Sequence, residues 1–334
     1  MTQDNTTRVE WVDLAKGITI LLVVLGHVLR GLDSANLIND QATWNIDIDR
    51  IIYSFHMHLF MILSGLFFVK SIHKYEPIGL LKNKTKTVLY PYIVWSILHT
   101  AIEVVLSNFT NGNIQPDTLL TCVFIPRAHF WFLFALFFIN LINIIFYTLF
   151  RSHWLILSSV MGGICYFLSL DLSIFTATFK FLLFFNIGII VSTTIFDTKT
   201  VTILSKKKYL ILSLLMFIII QSLNLSSSLT YYTVFKFIIA IISSLFCIIG
   251  SLVLSSYMRN IFARGIKLLG ENTMYIYIMH ILITAGIRIF LIRIDVTNVY
   301  IHVILGTIIG IVIPCLIAIK FRKNKYFDIL FRLP

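Results

Sequence analysis

The chain has 334 residues, 58% of them hydrophobic and only 13% charged, with a mean hydropathy of +0.91. Soluble domains carry roughly 25% charged residues, so the composition excludes a soluble domain, a disordered chain and a disulfide scaffold. The net charge of +12 does not signal nucleic acid, because the cations sit in short loops between apolar runs.

At ~20 apolar residues per crossing, the sequence predicts an all-α, polytopic transmembrane bundle of about ten helices. The runs are about 14–32, 51–69, 88–106, 130–150, 154–170, 177–196, 209–225, 233–255, 272–292 and 299–319. The connections 33–50, 70–87 and 107–129 are expected as loops or short re-entrant pieces. No segment is long enough for a second, soluble domain, so residues 1–334 are expected as one membrane domain. A largely polar lead of thirteen residues ahead of the first run, with Lys16 and His27 inside it, argues against a cleaved signal peptide. Cys122 is expected in a loop and Cys165, Cys247 and Cys315 inside helices, with no metal-ligand spacing among them.

Alternate loops divide the cations unequally: nineteen Lys and Arg on one side, including Arg8 and Arg259, against three on the other, with five within spans or at their edges. The positive-inside rule then places both termini in the cytoplasm. Loop 33–50, with Asp33, Asp40, Asp47 and Asp49, faces outward.

Ionisable groups inside a bilayer usually face the bundle interior or an aqueous cavity. In the first run, eleven residues at ~100° each bring Lys16 and His27 within about 20° around the axis and about 16 Å apart along it. Asp13 lies within about 40° of the same line. A snorkelling lysine and a hydrogen-bonded structural histidine would fit this helix equally well.

The second run, SFHMHLFMILSGLFF, carries His56 and His58. At i, i+2 they diverge around a helix, so only one can share a cavity with His27, and they make a poor zinc pair; no metal is expected. Ser64 and Gly65 offer a small surface for close packing. His129 and Trp131 open the fourth run at the outer interface, where a belt anchor is the plain alternative. Thr273, Tyr277 and His280 share one face of the ninth. Lys180, Lys236 and Arg288 lie near span ends, where they could snorkel. His73, His99, His153 and His302 show no partner.

Four blocks in order, DLAKGITILLVVLGH at 13–27, SFHMHLFMILSGLFF at 54–68, HFWFLFAL at 129–136 and GENTMYIYIMH at 270–280, resemble the acyltransferase 3 family of bacterial membrane O-acyltransferases. The likeness is greatest to the branch of surface-polysaccharide sugar O-acetylases, the fucose 4-O-acetylase-like proteins. Two departures stand out: Lys16 replaces the usual Arg eleven residues before the essential His, and His58 stands where F-H-M-P-L-F has Pro. The resemblance implies acetyl-CoA as donor and a lipid-linked or surface polysaccharide, O-antigen or capsule, as acceptor, at the bacterial inner membrane. It implies His27 as the catalytic base, with Asp13 and His56 as further catalytic groups. Lys16 would bind the donor. His129, Trp131, Ser64, Tyr277 and His280 would bind the acceptor. An acyl-His relay is open beside the base role. The competing classes are a polysaccharide flippase or transporter, an O-antigen-type polymerase and a purely structural membrane protein. A transporter should show paired interrupted helices in two halves, and no such symmetry is present.

Overall fold

The computed structural model describes residues 9–38, 43–106, 115–226, 228–257 and 260–333. Arg8, Asp40 and Arg259, used above in assigning loops to sides, lie outside the described residues. No strand occurs among the described residues, and the fold is the expected all-α membrane bundle. Eight helical stretches there are long and apolar enough to cross a bilayer.

The central rod is α1, Glu10–Asp33. It has no proline, carries Glu10 and Asp13 in its first turn and Arg30 in its last, and so suits its own macrodipole. It packs against α12 (Thr233–Ser255), α13 (Ile261–Glu271), α14 (Thr273–Arg293) and α15 (Val299–Phe321). The approach of α13 is close: a Cβ on Gly270 would lie 1.7 Å from the Asp13 carbonyl oxygen. Beside it, Lys267 Nζ donates to Glu10 at 2.7 Å, a hydrogen bond that raises the Lys267 pKa.

The expected second crossing is broken. Residues 43–84 form α2 (Thr43–Tyr53), α3 (His56–Gly65) and α4 (Phe68–Lys84), interrupted at Phe55 (φ −146°, ψ −25°) and at Phe67 (φ −102°, ψ 0°). An apolar run shows its length but not its breaks. Nor is the segment 70–87 a loop. It is helical, with a kink where Glu76 takes φ 58° ahead of Pro77; a residue before proline is pushed out of the α region. It passes through a π turn, Thr85–Leu89, into α5, Tyr90–Val105.

The stretch Ala128–Phe167 contains two expected crossings, α7 (Trp131–Phe150) and α8 (Trp154–Phe167), joined at Arg151 with φ 45°. Within it Ser158 Oγ donates to Asn143 Oδ1 at 2.9 Å. Asn186 Nδ2, from α9 (Thr176–Ile195), donates to Ser158 Oγ at 2.8 Å. Polar groups buried in a membrane bundle need such partners. Helix α9 also packs on α3.

Two ends of the bundle are distinct. Glu10, Lys267 and the tail segment that donates from Leu333 N–H to the Lys86 carbonyl gather at one. The Arg30–Asp49 pair and the stacked rings of Trp44 and Tyr300 lie at the other.

Candidate active site

Four imidazoles from four segments meet beside α1. His27 comes from α1, His99 from α5, His280 from α14, and His129 from the 3-10 turn Ala128–Phe130 that precedes α7. Their ring centroids are 5.1 Å apart for His27–His280, 5.1 Å for His129–His280, 6.2 Å for His27–His129 and 5.6 Å for His99–His129. His99, His129 and His280 are buried, whereas His27 is half-buried and lines a cavity of about 400 Å³. Of the four, His99 is the other ring that lines it.

Local structure fixes the rings. Ala128 adopts φ 47°, a conformation uncommon outside glycine, and the following His129 carbonyl accepts a hydrogen bond from the Tyr277 hydroxyl. His280 Nδ1 lies 2.7 Å from the Tyr277 carbonyl, so that nitrogen carries the proton. Its Nε2 has no partner among the described residues. Among those residues, no three His, Cys, Asp or Glu converge as ligands of a metal ion would.

His56 stands one ring further out. Its Nδ1 donates to the Ile52 carbonyl at 2.6 Å, and its ring meets that of Tyr53 edge to face, with centroids 4.7 Å apart. Tyr53 in turn lies 6.3 Å from His27 and beneath the Arg30 guanidinium at 3.2 Å. The divergence expected of His56 and His58 is present. His58 packs instead against Phe181 and Phe184 and lines a separate groove of about 650 Å³.

The other expected residues are not all at this site. Asp13 and Lys16 are neighbours, 4.0 Å apart, and line a cavity of about 340 Å³ with Lys70, Lys74 and Glu271 at the opposite end of α1. Fourteen residues of helix put Asp13 about 21 Å from His27 along the axis, too far for a shared proton. Trp131 stacks on Phe181 at 5.3 Å and does not line the His27 cavity. The Ser64 hydroxyl donates to its own helix, to Phe60 O at 2.8 Å. The Thr273 hydroxyl, at the start of α14, donates back to the end of α13, to Gly270 O at 2.7 Å.

Five residues at the site went unassigned from sequence. His99 Nδ1 lies 3.4 Å from Glu103, whose other oxygen is 3.5 Å from Arg127. The i, i+4 spacing of His99 and Glu103 was a usable signal; the Arg127 contact was not, because it joins distant segments. Tyr53 and Arg30 are likewise brought in by tertiary packing.

The fold and the site together describe an integral membrane protein with an accessible imidazole at the wall of a cavity. An acyltransferase domain model matches residues 9–319, nearly the whole chain, and the chain belongs to the acyltransferase 3 family. Over 156 residues it is 31% identical to the nodulation protein NolL of Mesorhizobium japonicum. That stretch is 45% of this chain and 39% of the relative, so the match spans well under half the relative's length. No solved structure matches.

Proposed function

We propose that the protein transfers an acetyl group from acetyl-CoA to a sugar hydroxyl of a surface polysaccharide, O-antigen or capsule, in the bacterial inner membrane with both termini cytoplasmic. The observation that carries the reading is the pair of cavities on one helix: lysines at one end of α1, an accessible histidine toward the other. Lys16, Lys70 and Lys74 outnumber Asp13 and Glu271 in the lining of this cavity, which leaves a net positive charge to meet the phosphates of a nucleotide-bearing thioester. Eleven residues separate Lys16 from His27, about 16 Å of helix, a span for an extended arm rather than for the nucleotide itself. When bound, the donor supplies an activated acetyl carbonyl.

His27 does the proton work. A neutral imidazole nitrogen can accept the proton of a hydroxyl. The neutral ring takes the proton of the sugar hydroxyl as the oxygen bonds to the acetyl carbon. The carbon–sulfur bond then breaks, and His27 returns the proton to the leaving thiolate. His280 and His129 form the wall behind it, and Tyr277 holds His129 in place. Burial of these three walls excludes water that would otherwise compete for the acyl group.

Purified protein in nanodiscs, given radiolabelled acetyl-CoA and a lipid-linked glycan, should label the glycan. Label on a soluble cytoplasmic acceptor and none on glycan would overturn the reading. Reporter fusions at Lys207 and Asn298 should lie on opposite sides of the membrane; the same side for both would refute the cytoplasmic termini. Lys16→Ala should raise the KM for acetyl-CoA about tenfold, the scale of one charge-assisted hydrogen bond, and leave the acceptor KM within about twofold. Lys16→Arg should keep most activity, because a guanidinium also pairs phosphate. Equal changes in the donor and acceptor constants would assign Lys16 a structural role.

A further inference from the structure

Three charged side chains line the cavity with His27: Arg30, Glu103 and Arg288. Two of them are neutralised. Arg30 makes a bidentate pair with Asp49 at 2.7 and 2.9 Å and lies over Tyr53. Glu103 sits between His99 and Arg127.

Arg288 has no such partner. Among the described residues no carboxylate lies within ion-pair distance of it. Its Nε is buried and makes no hydrogen bond there. Eight residues beyond His280 and four beyond Thr284, it continues one face of α14. Its guanidinium reaches α1 at Gly31, where a Cβ would lie 2.2 Å from Nη1. Gly31 is four residues from His27, about 6 Å along the helix. The bare backbone at Gly31 therefore makes room for a cation one helical turn from the imidazole. An uncompensated guanidinium inside a bundle is costly, and an oxyanion is the ligand whose planar geometry it matches.

Resting on the acetyl-transfer reading, we propose that the acceptor is acidic: Arg288 pairs a carboxylate or phosphate of the glycan about one helical turn from the hydroxyl that His27 deprotonates. The bond made and the bond broken are those given above; Arg288 takes no proton and acts by placing the acceptor. Neutral glycans would lack this anchor and would enter in several orientations.

The test uses the full chain in phosphatidylcholine nanodiscs. Three matched oligosaccharides are compared: one neutral, one bearing a uronate, one bearing a phosphomonoester. Equilibrium binding is measured for each, independently of turnover, and then acetyl transfer. An acidic oligosaccharide should bind about tenfold or more tightly than the neutral one, as expected for a charge-assisted, bidentate contact. Whether the uronate or the phosphate shows the larger gain identifies the anion. Arg288→Gln should remove the preference and Arg288→Lys should keep part of it. Gly31→Ala should also remove it with Arg288 intact, because the far end of that side chain must swing away. This second variant keeps the test informative if Arg288→Gln does not fold.

Equal binding of neutral and acidic oligosaccharides by the unaltered protein would overturn the proposal. So would loss of acidic binding in phosphatidylglycerol nanodiscs, which would assign the guanidinium to a lipid headgroup. Acetyl transfer with equal constants for all three acceptors sinks the anion site and leaves the transfer reading standing. Arg288-dependent binding of an acidic glycan without any transfer does the reverse.

Discussion

Replacing His27 with alanine is expected to lower acetyl transfer by about 10²–10⁴-fold, the range that a positioned base contributes. The protein should still insert and accumulate. His27 is the ring of the cluster that is half-buried and faces the cavity with room for a substrate, so its removal widens a space that is already open. No hydrogen bond from its ring holds another helix in place among those described for the residues around it. The check is turnover of labelled acetyl-CoA beside the thermal midpoint in detergent. A variant that keeps most of its turnover at a normal midpoint would remove His27 from the mechanism and leave the buried rings to account for it.

The second large effect is on stability. Gly188→Val should depress the thermal midpoint sharply and reduce the yield of monodisperse protein. A Cβ at Gly188 would lie 2.1 Å from the Ile62 carbonyl oxygen and 3.1 Å from the Cα of Gly65. Both are backbone atoms of α3, so no side chain can turn away. Overpacking of this kind costs about 1–3 kcal/mol where side chains can adjust, and more is expected where they cannot. The damage should extend to the site, since α3 begins at His56, three residues after Tyr53, the ring between His56 and His27. Ser64→Ala is the matched control and should be nearly silent, because that hydroxyl serves its own helix. An unchanged midpoint for Gly188→Val would refute the close approach of α3 and α9.

What could be read from the sequence follows helical arithmetic. The divergence of His56 from His58 and the common face of Tyr277 and His280, both of which meet His129, depend only on residue spacing within one helix and recur in the structure; the arithmetic for Lys16 and His27 gave their separation along α1, where they line different cavities. The breaks at Phe55 and Phe67 were hidden because phenylalanine is equally apolar in a helix or out of one. Segment 70–87 looked like a loop because Lys70, Lys74, Lys82 and Lys84 make it polar. That composition also suits a helix lying beside the headgroups, where long basic side chains snorkel. Of the groups around His99, Glu103 four residues on was within reach of helical spacing, whereas His129, and Arg127 on the far side of Glu103, arrive from elsewhere in the chain. The four-block resemblance covers α1, α3, α7 and α14, segments that carry or adjoin the clustered histidines, and leaves out α5 with His99. It did not reveal that Trp131 faces Phe181 rather than the cavity.

The unbroken course of α1 has a consequence for how this protein can change. Its two cavities share a single rigid gauge, with no hinge between them to absorb an error. One residue inserted between Lys16 and His27 would lengthen the gauge by only 1.5 Å, yet would turn everything beyond it by ~100° and carry the imidazole out of the cavity. Seven inserted residues would return it to within about 20° of its bearing but some 10 Å too far along. Substitutions along this stretch can be screened one at a time by their size and polarity. Changes of length have no small step available, and the eleven-residue interval is set by geometry before any side chain is chosen.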